Sequence, residues 1–218
     1  MCGRFAIYSS AEAIADYGKA LQKIQKWNPN FNVVPGTMIP IIYWDQKKIL
    51  TTMRWGLIPF WAKDDKFASK LINARCESIA DKPSFRYAFE KRRCLIAANG
   101  YYEWAKPSKK PYYFHHPQSE IIFFAGVWES WKSPSGEIIQ SCSIITSAAS
   151  DKISHLHHRM PVILNPQQAD AWIAESTGPE LINILYKEAE NNLEYHPVSI
   201  AVNSAQNNFP DLIKPLVI

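Results

Sequence analysis

The chain has 218 residues, 24 Lys and Arg against 20 Asp and Glu, and 47% apolar residues, a composition that excludes disordered, collagenous and disulfide-scaffold proteins. Its longest apolar runs, such as Ile121 to Val127, fall well short of the ~18 to 20 residues that cross a bilayer. The start Met-Cys-Gly-Arg-Phe-Ala-Ile-Tyr lacks the apolar core and cleavage site of a secretory signal, so one intracellular domain over residues 1–218 is expected.

Residues 11–26 predict a helix, because Ser10 can cap it and Ile14, Tyr17, Leu21 and Ile24 recur at spacings that line one face. The pattern then changes to short strands rich in β-branched and aromatic residues: Met38 to Trp44, Ile49 to Leu57, Cys94 to Ala98, Pro111 to His115, Ile121 to Trp128 and Ser141 to Thr146. Ser84 to Lys91 predicts a short helix. Pro166 after Asn165 opens another through Ile173, and Pro179 opens one through Ala189. Short turns between strands favour antiparallel pairing, so the expected class is α+β, a mainly antiparallel, barrel-like curved sheet with peripheral helices.

The charge is unevenly distributed. Residues 1–110 hold 19 Lys and Arg against 9 Asp and Glu, and residues 111–218 hold 5 against 11. A basic half of this kind suits a partner that carries phosphates. The four cysteines at 2, 76, 94 and 142 form no C-x-x-C pair and no metal-ligand spacing with histidines, so neither metal nor cofactor is expected. Cys76, Cys94 and Cys142 lie in apolar contexts and read as small core residues. Cys2 differs, because removal of Met1 would make it the first residue.

An N-terminal Cys carries an amine and a thiol two carbons apart, both titrating near neutrality, at about 8 and about 8.5 in model compounds. Two chemistries follow. The thiol can attack an acyl carbon with the amine as base, as in N-terminal nucleophile amidohydrolases. Alternatively, the amine can condense with an aldehyde and the thiol can close a thiazolidine ring. Three segments set polar groups among apolar ones. In Leu71-Ile72-Asn73-Ala74-Arg75-Cys76-Glu77, the amide, guanidinium and carboxylate share one side if the segment is extended. In Asn99-Gly100-Tyr101-Tyr102-Glu103-Trp104, Glu103 stands between aromatics where desolvation raises a carboxyl pKa. Leu156-His157-His158-Arg159-Met160-Pro161 supplies a His that titrates near neutrality.

With Cys2-Gly3-Arg4-Phe5, Phe31-Asn32-Val33-Val34-Pro35-Gly36, Trp55-Gly56-Leu57-Ile58-Pro59, Lys82-Pro83-Ser84-Phe85-Arg86 and His196-Pro197-Val198-Ser199, these segments resemble, nearly end to end, the SOS response-associated peptidase (SRAP) family. The resemblance implies a small α+β domain around a barrel-like core, acting on abasic sites in single-stranded DNA. It implies capture of the ring-opened sugar by Cys2 after loss of Met1, with lyase and self-processing peptidase activities. Asn73 would fix the reacting groups, Glu103 would move protons at the amine, and His157 would act on the sugar hydroxyl during ring opening. His158 departs from the Asp or Pro common in the family.

On the DNA side, Arg4, Arg75, Arg86 and Arg159 are the candidate phosphate contacts, with Lys82 and Asn32 in support. Trp61 is the candidate stacking residue, whereas Trp55 and Trp104 read as core. A monomer in a bacterial cytoplasm is expected, or in the nucleus of a eukaryote. Two other readings compete. A class II glutamine amidotransferase would use Asn99-Gly100 as oxyanion donors and Arg75 for the glutamine carboxylate, and a plain single-strand-binding module would leave Cys2 incidental.

Overall fold

The structure is a computed structural model that describes residues 2–24, 26–174, 179–186 and 192–216. In chain order it runs β1 (Phe5–Ile7), α1 (Ala11–Gly18), β2 (Leu21–Gln22), β3 (Asn30–Val33), β4 (Met38–Asp45), β5 (Lys47–Trp55) and β6 (Asn73–Arg75). There follow α2 (Arg86–Lys91), β7 (Arg93–Ala98), β8 (Gly100–Trp104), β9 (Pro111–His115), β10 (Ile122–Lys132) and β11 (Ile138–Ala148). The last elements are α3 (Asp151–Ser154), β12 (Arg159–Pro161), β13 (Ile163–Leu164), α4 (Pro166–Ile173), α5 (Pro179–Tyr186) and β14 (Glu194–Pro197).

Five strands close into a barrel. β4 pairs with β5, β7 with β4, β10 with β7 and β11 with β10, all antiparallel. The ring is completed by a parallel contact in which Ser141 and Cys142 of β11 face Arg54 and Trp55 of β5. β2, β6, β12 and β13 extend the barrel strands on the outside. A second, five-stranded sheet has the order β14-β9-β8-β1-β3. It joins the barrel through Phe5, whose ring lies 5.1 Å from Trp55 and 5.9 Å from Phe124. β7, Arg-Cys-Leu-Ile-Ala-Ala, is buried at every position. One of its faces lines the barrel and the other lies under α2 and α4, and a strand covered on both sides shows a continuous apolar run instead of alternation.

The expectation of an α+β fold with a mainly antiparallel, barrel-like sheet is met, and one local reading is corrected. The helix predicted over 11–26 stops at Gly18. Lys19 adopts the left-handed conformation with φ 51° and caps it, and Leu21 and Gln22 then pair in parallel with Ile49 and Leu50. Gly18 sits closely against the buried Ile42 side chain, whose end would have to shift to admit a Cβ there. The sheet is mainly antiparallel as expected, and β2, β6 and β11 add three parallel contacts to it. Helix α4 begins where Asn165 and Pro166 place it, with Asn165 and Gln168 capping each other's backbone N–H groups. Residues 187–189 of the last predicted helix lie outside the described residues.

After β5 the chain turns at Gly56, φ +123°, where a Cβ would meet the Ala68 carbonyl oxygen at 2.5 Å. This close approach folds the loop 56–72 onto the barrel and returns the chain into β6. The Trp55 indole fixes the return by donating to the Ile72 carbonyl at 2.9 Å. The residue delivered at the end of that loop is Asn73.

Candidate functional site

Cys2 lies just before β1 with no exposed surface. Its Sγ is 3.9 Å from the Arg4 carbonyl oxygen. Burial, helped by the negative charge of nearby Glu103, pushes its thiol pKa well up, so the sulfur keeps its proton at neutral pH. The Cys2 carbonyl accepts a hydrogen bond from Asn73 Nδ2 at 2.8 Å. Asn73 is held in place because β6 lies parallel to β11, with Asn73 opposite Ile144. The amide's other atom, Oδ1, is buried and has no hydrogen-bond partner among the described residues. It is an acceptor on the side chain that already grips Cys2.

Glu103 projects from β8 and is 5% exposed. Burial raises its carboxyl above the usual carboxylate range. Its Oε1 stands 3.7 Å from Nδ1 of His157, in the turn between α3 and β12. That is longer than a direct hydrogen bond but within reach of a small movement. His157 Nδ1 also lies 3.1 Å from the Arg159 amide N and 3.0 Å from the Arg159 carbonyl oxygen. A neutral ring protonated on Nε2 accepts the amide proton, and a protonated ring donates to the carbonyl. Burial lowers the His157 pKa, favouring the neutral ring. Exposed His158 stacks on it at 4.6 Å, and the charge of His157 lowers the His158 pKa in turn. A carboxyl biased towards its acid form thus stands beside an imidazole biased towards its base form, a pairing suited to proton transfer in both directions.

The candidate phosphate contacts divide in two. Arg75, Lys82 and Arg86 are exposed. Arg159 is only 9% exposed and its fork is occupied: it bonds both Glu77 carboxylate oxygens at 2.5 and 3.0 Å, and the Thr146 carbonyl and hydroxyl at 2.5 and 3.2 Å. Arg4 is half-buried and donates to Asn32 Oδ1 at 2.8 Å and to the Val202 carbonyl at 2.7 Å. Asn32 is 3% exposed, with Nδ2 directed at the carbonyls of Val202, Ser204 and Asn207. Its expected place at the DNA surface is therefore corrected: the side chain is a brace for Arg4 and the chain near residue 204. The alternation of Asn73, Arg75 and Glu77 is corrected as well, because the strand ends at Arg75 and a 3-10 turn over Cys76–Ser78 swings Glu77 towards Arg159.

Trp61 is 46% exposed, its ring 5.6 Å from Phe67. Two exposed aromatics absent from the sequence reading, Phe60 and Tyr87, meet at 5.2 Å close to it in the chain and on α2. A turn-rich loop holding Phe60-Trp61 next to each other was their only sequence signal. Trp55 is core as expected, and Trp104 is half-buried, its indole donating to Asn203 Oδ1 at 2.7 Å. Cys76, Cys94 and Cys142 are buried free thiols. Among the described residues no group of three or more His, Cys, Asp and Glu is gathered for a metal ion. No helix among them is long and apolar enough to cross a membrane.

The amidotransferase reading asks Asn99 to be an oxyanion donor. Its Nδ2 instead donates to Ser9 Oγ and the Glu120 carbonyl, both at 2.7 Å, and its Oδ1 accepts from the Tyr8 and Ser9 amides. Asn99 is 2% exposed and fastens β8 to the start of α1, so its donors do not face a substrate.

The family model described as SOS response associated peptidase (SRAP) matches residues 1–205. The chain belongs to the SRAP family. The abasic site processing protein YoqW of Bacillus subtilis (strain 168) is 36% identical to this SRAP chain over 98% of it and 99% of its own length. The abasic site processing protein HMCES of Gallus gallus is 31% identical over 88% of this chain and 67% of its own. Among solved structures, a protein from Bacteroides thetaiotaomicron has a TM-score of 0.88 at 24% identity, covering 99% of this chain and 100% of its own, a likeness of fold. A phage-related protein from Bordetella bronchiseptica has a TM-score of 0.73 at 27% identity, covering 90% and 94%.

Proposed function

We propose that this SRAP chain processes abasic sites in DNA by capturing the ring-opened sugar of a single strand on the aminothiol of Cys2. The observation that carries this reading is the convergence on Cys2 of Asn73, bonded to its carbonyl, and Glu103, whose charge acts on its thiol and which stands 3.7 Å from His157. The names of the relatives, abasic site processing proteins, support the substrate class.

Met1 must first be removed, because it ties the Cys2 nitrogen into a peptide bond. The same constellation suits that hydrolysis, with the Cys2 thiol as nucleophile and Glu103 and His157 as proton carriers. The freed amine then adds to the sugar aldehyde, and loss of water leaves an imine. The thiol adds across the C=N bond, forming S–C while its proton passes to nitrogen. A thiol kept protonated by burial suits this order, since the amine reacts first and the sulfur second. Asn73 Oδ1 accepts from the amine, Glu103 shuttles its protons, and neutral His157 takes the sugar hydroxyl proton during ring opening. The imine acidifies the C2′ proton, which accounts for strand cleavage as a side reaction. One chain supplies all of these groups, so a monomer suffices. Arg75, Lys82 and Arg86 would contact phosphates, Trp61 would stack on an unpaired base, and Arg4 and Arg159 would hold the walls of the site.

The test mixes chain lacking Met1, and chain retaining it, with a labelled abasic oligonucleotide on a denaturing gel. A heat-stable band is expected only without Met1. Its absence in both would reject covalent capture and leave the single-strand-binding reading.

A further inference from the structure

Side chains alternate along β8, so Tyr101 and Glu103 face one side of the sheet while Tyr102 faces the other. Packing agrees with that division. Tyr101 lies in the main core, its ring stacked on Phe114 at 4.8 Å and edge-on to Phe124 at 6.1 Å, whereas Tyr102 packs with Val198 and Leu212 in a separate cluster. Register places Phe5 opposite Tyr101, and the Tyr102 amide donates to the Arg4 carbonyl at 2.9 Å. The residues before Phe5 therefore run beside the segment from Tyr101 to Glu103. The Tyr101 side chain has no exposed surface, and its hydroxyl is buried with no hydrogen-bond partner among the described residues. Leaving a buried hydroxyl unpaired destabilises a fold, and a Phe would make the same stack without that cost. Burial, then the negative charges that Cys2 and Glu103 carry when ionised, suppress the phenol's acidity, so the hydroxyl keeps its proton through neutral pH.

We propose that the Tyr101 hydroxyl is a further catalytic group of the site, donating a hydrogen bond to the aldehyde oxygen of the ring-opened sugar while the Cys2 amine attacks. This inference rests on the aminothiol reading above. As the N–C bond forms, the C=O π pair moves onto oxygen, and a fixed donor aimed at that oxygen stabilises the developing charge. Tyr101 keeps its own proton throughout. The two amine protons reach the oxygen in turn by way of the Glu103 carboxyl, the C–O bond breaks, water leaves, and the imine remains for the thiol to close.

The experiment compares wild type and Tyr101→Phe, both lacking Met1, in single-turnover crosslinking to an abasic oligonucleotide, with intact-strand affinity and melting temperature measured on the same preparations. The crosslinking rate constant is expected to fall about tenfold or more, since one oxyanion donor is typically worth up to ~10²–10³. The half-saturating DNA concentration, the intact-strand affinity and the melting temperature should be unchanged, or the last raised. A variant as fast as wild type overturns the proposal while leaving the aminothiol reading standing. So does a slower variant whose affinity and melting temperature fall with the rate, since that is a structural role. Wild type that forms no crosslink rejects both.

Discussion

The interior around Cys2 and the basic surface of the first half of the chain differ in what fixes their side chains. Inside, Asn73, Glu103 and His157 are placed by strands and by one another, and burial biases their protonation. Outside, Arg75, Lys82 and Arg86 reach into solvent, where ions screen them over about 10 Å. Many other cations of the basic half are already engaged. Arg92 pairs with the buried carboxylate of Glu129, Arg93 is ringed by the carbonyls of Phe89, Glu90, Trp172 and Ala174, Arg54 pairs with Asp65, and Lys48 pairs with Asp170. The comparison teaches that chemistry and affinity are separable here: interior changes should alter rates, and rim changes should alter binding.

The largest expected effect tests the interior. Cys2→Ala should lose the heat-stable crosslink altogether while binding an intact strand like wild type, read on a denaturing gel beside a binding titration. Cys2→Ser prepared without Met1, which keeps an amine beside a poorer nucleophile, should still give an imine that borohydride traps. A stable crosslink from Cys2→Ala, mapped to an internal Lys, would break the comparison at its centre.

Next in size is Glu103→Gln. Imine formation and strand cleavage should slow on the order of 10²-fold or more, the range of a positioned acid–base group, with little change in affinity. The sign of the pH dependence follows from the raised carboxyl pKa. The proton-donating form persists above the usual carboxylate range and is lost as pH rises through the raised value, so the single-turnover rate should decline on that limb. In the Gln variant the limb should be absent. His157→Ala should change the rate of adduct formation or reversal with affinity retained, and unchanged rates in both variants would leave Cys2 acting alone.

Arg159 sharpens the boundary between the two regions, since it was a candidate surface contact and lies inside. Arg159→Met should destabilise the fold by about 1 to 2 kcal/mol in chemical denaturation. That is less than the ~3–5 kcal/mol of a fully buried broken pair, because Glu77 keeps 43% of its side chain in water. An unchanged midpoint with weakened DNA binding would return Arg159 to the rim.

The smallest effect belongs to the rim itself. Arg75→Ala should weaken intact and abasic strands alike and reduce the log–log salt slope by about 0.7, one phosphate contact on a single strand. Normal binding would remove Arg75 from the contact set.

Much of the fold was legible in the chain. The strand segment at Pro111 to His115 coincides with β9, and β4, β5, β7, β10 and β11 differ from the predicted segments only at their ends. The strands outside the predicted segments, β1, β2, β3, β6, β8, β12, β13 and β14, have two to five residues. Runs so short show no period, and they are strands because neighbours hydrogen-bond them. At the site, residue types and motif order singled out Cys2, Asn73, Glu103 and His157. What they could not give was orientation: Asn32 turns inward to three carbonyls, and Glu77 is swung by a 3-10 turn that no alternation rule foresees.

The chain by itself determined what depends on neighbours a few residues apart: the Ser10 and Asn165 caps, the apolar strand runs, the uneven charge, and the aminothiol that loss of Met1 would expose. Tertiary structure alone decided the parallel contact that closes the barrel between Trp55 and Cys142, which cations face solvent, and the meeting of Glu103 with His157. The reason is physical. Burial, and the protonation bias it produces, are properties of the space around a side chain, and that space is filled by residues far away in the sequence.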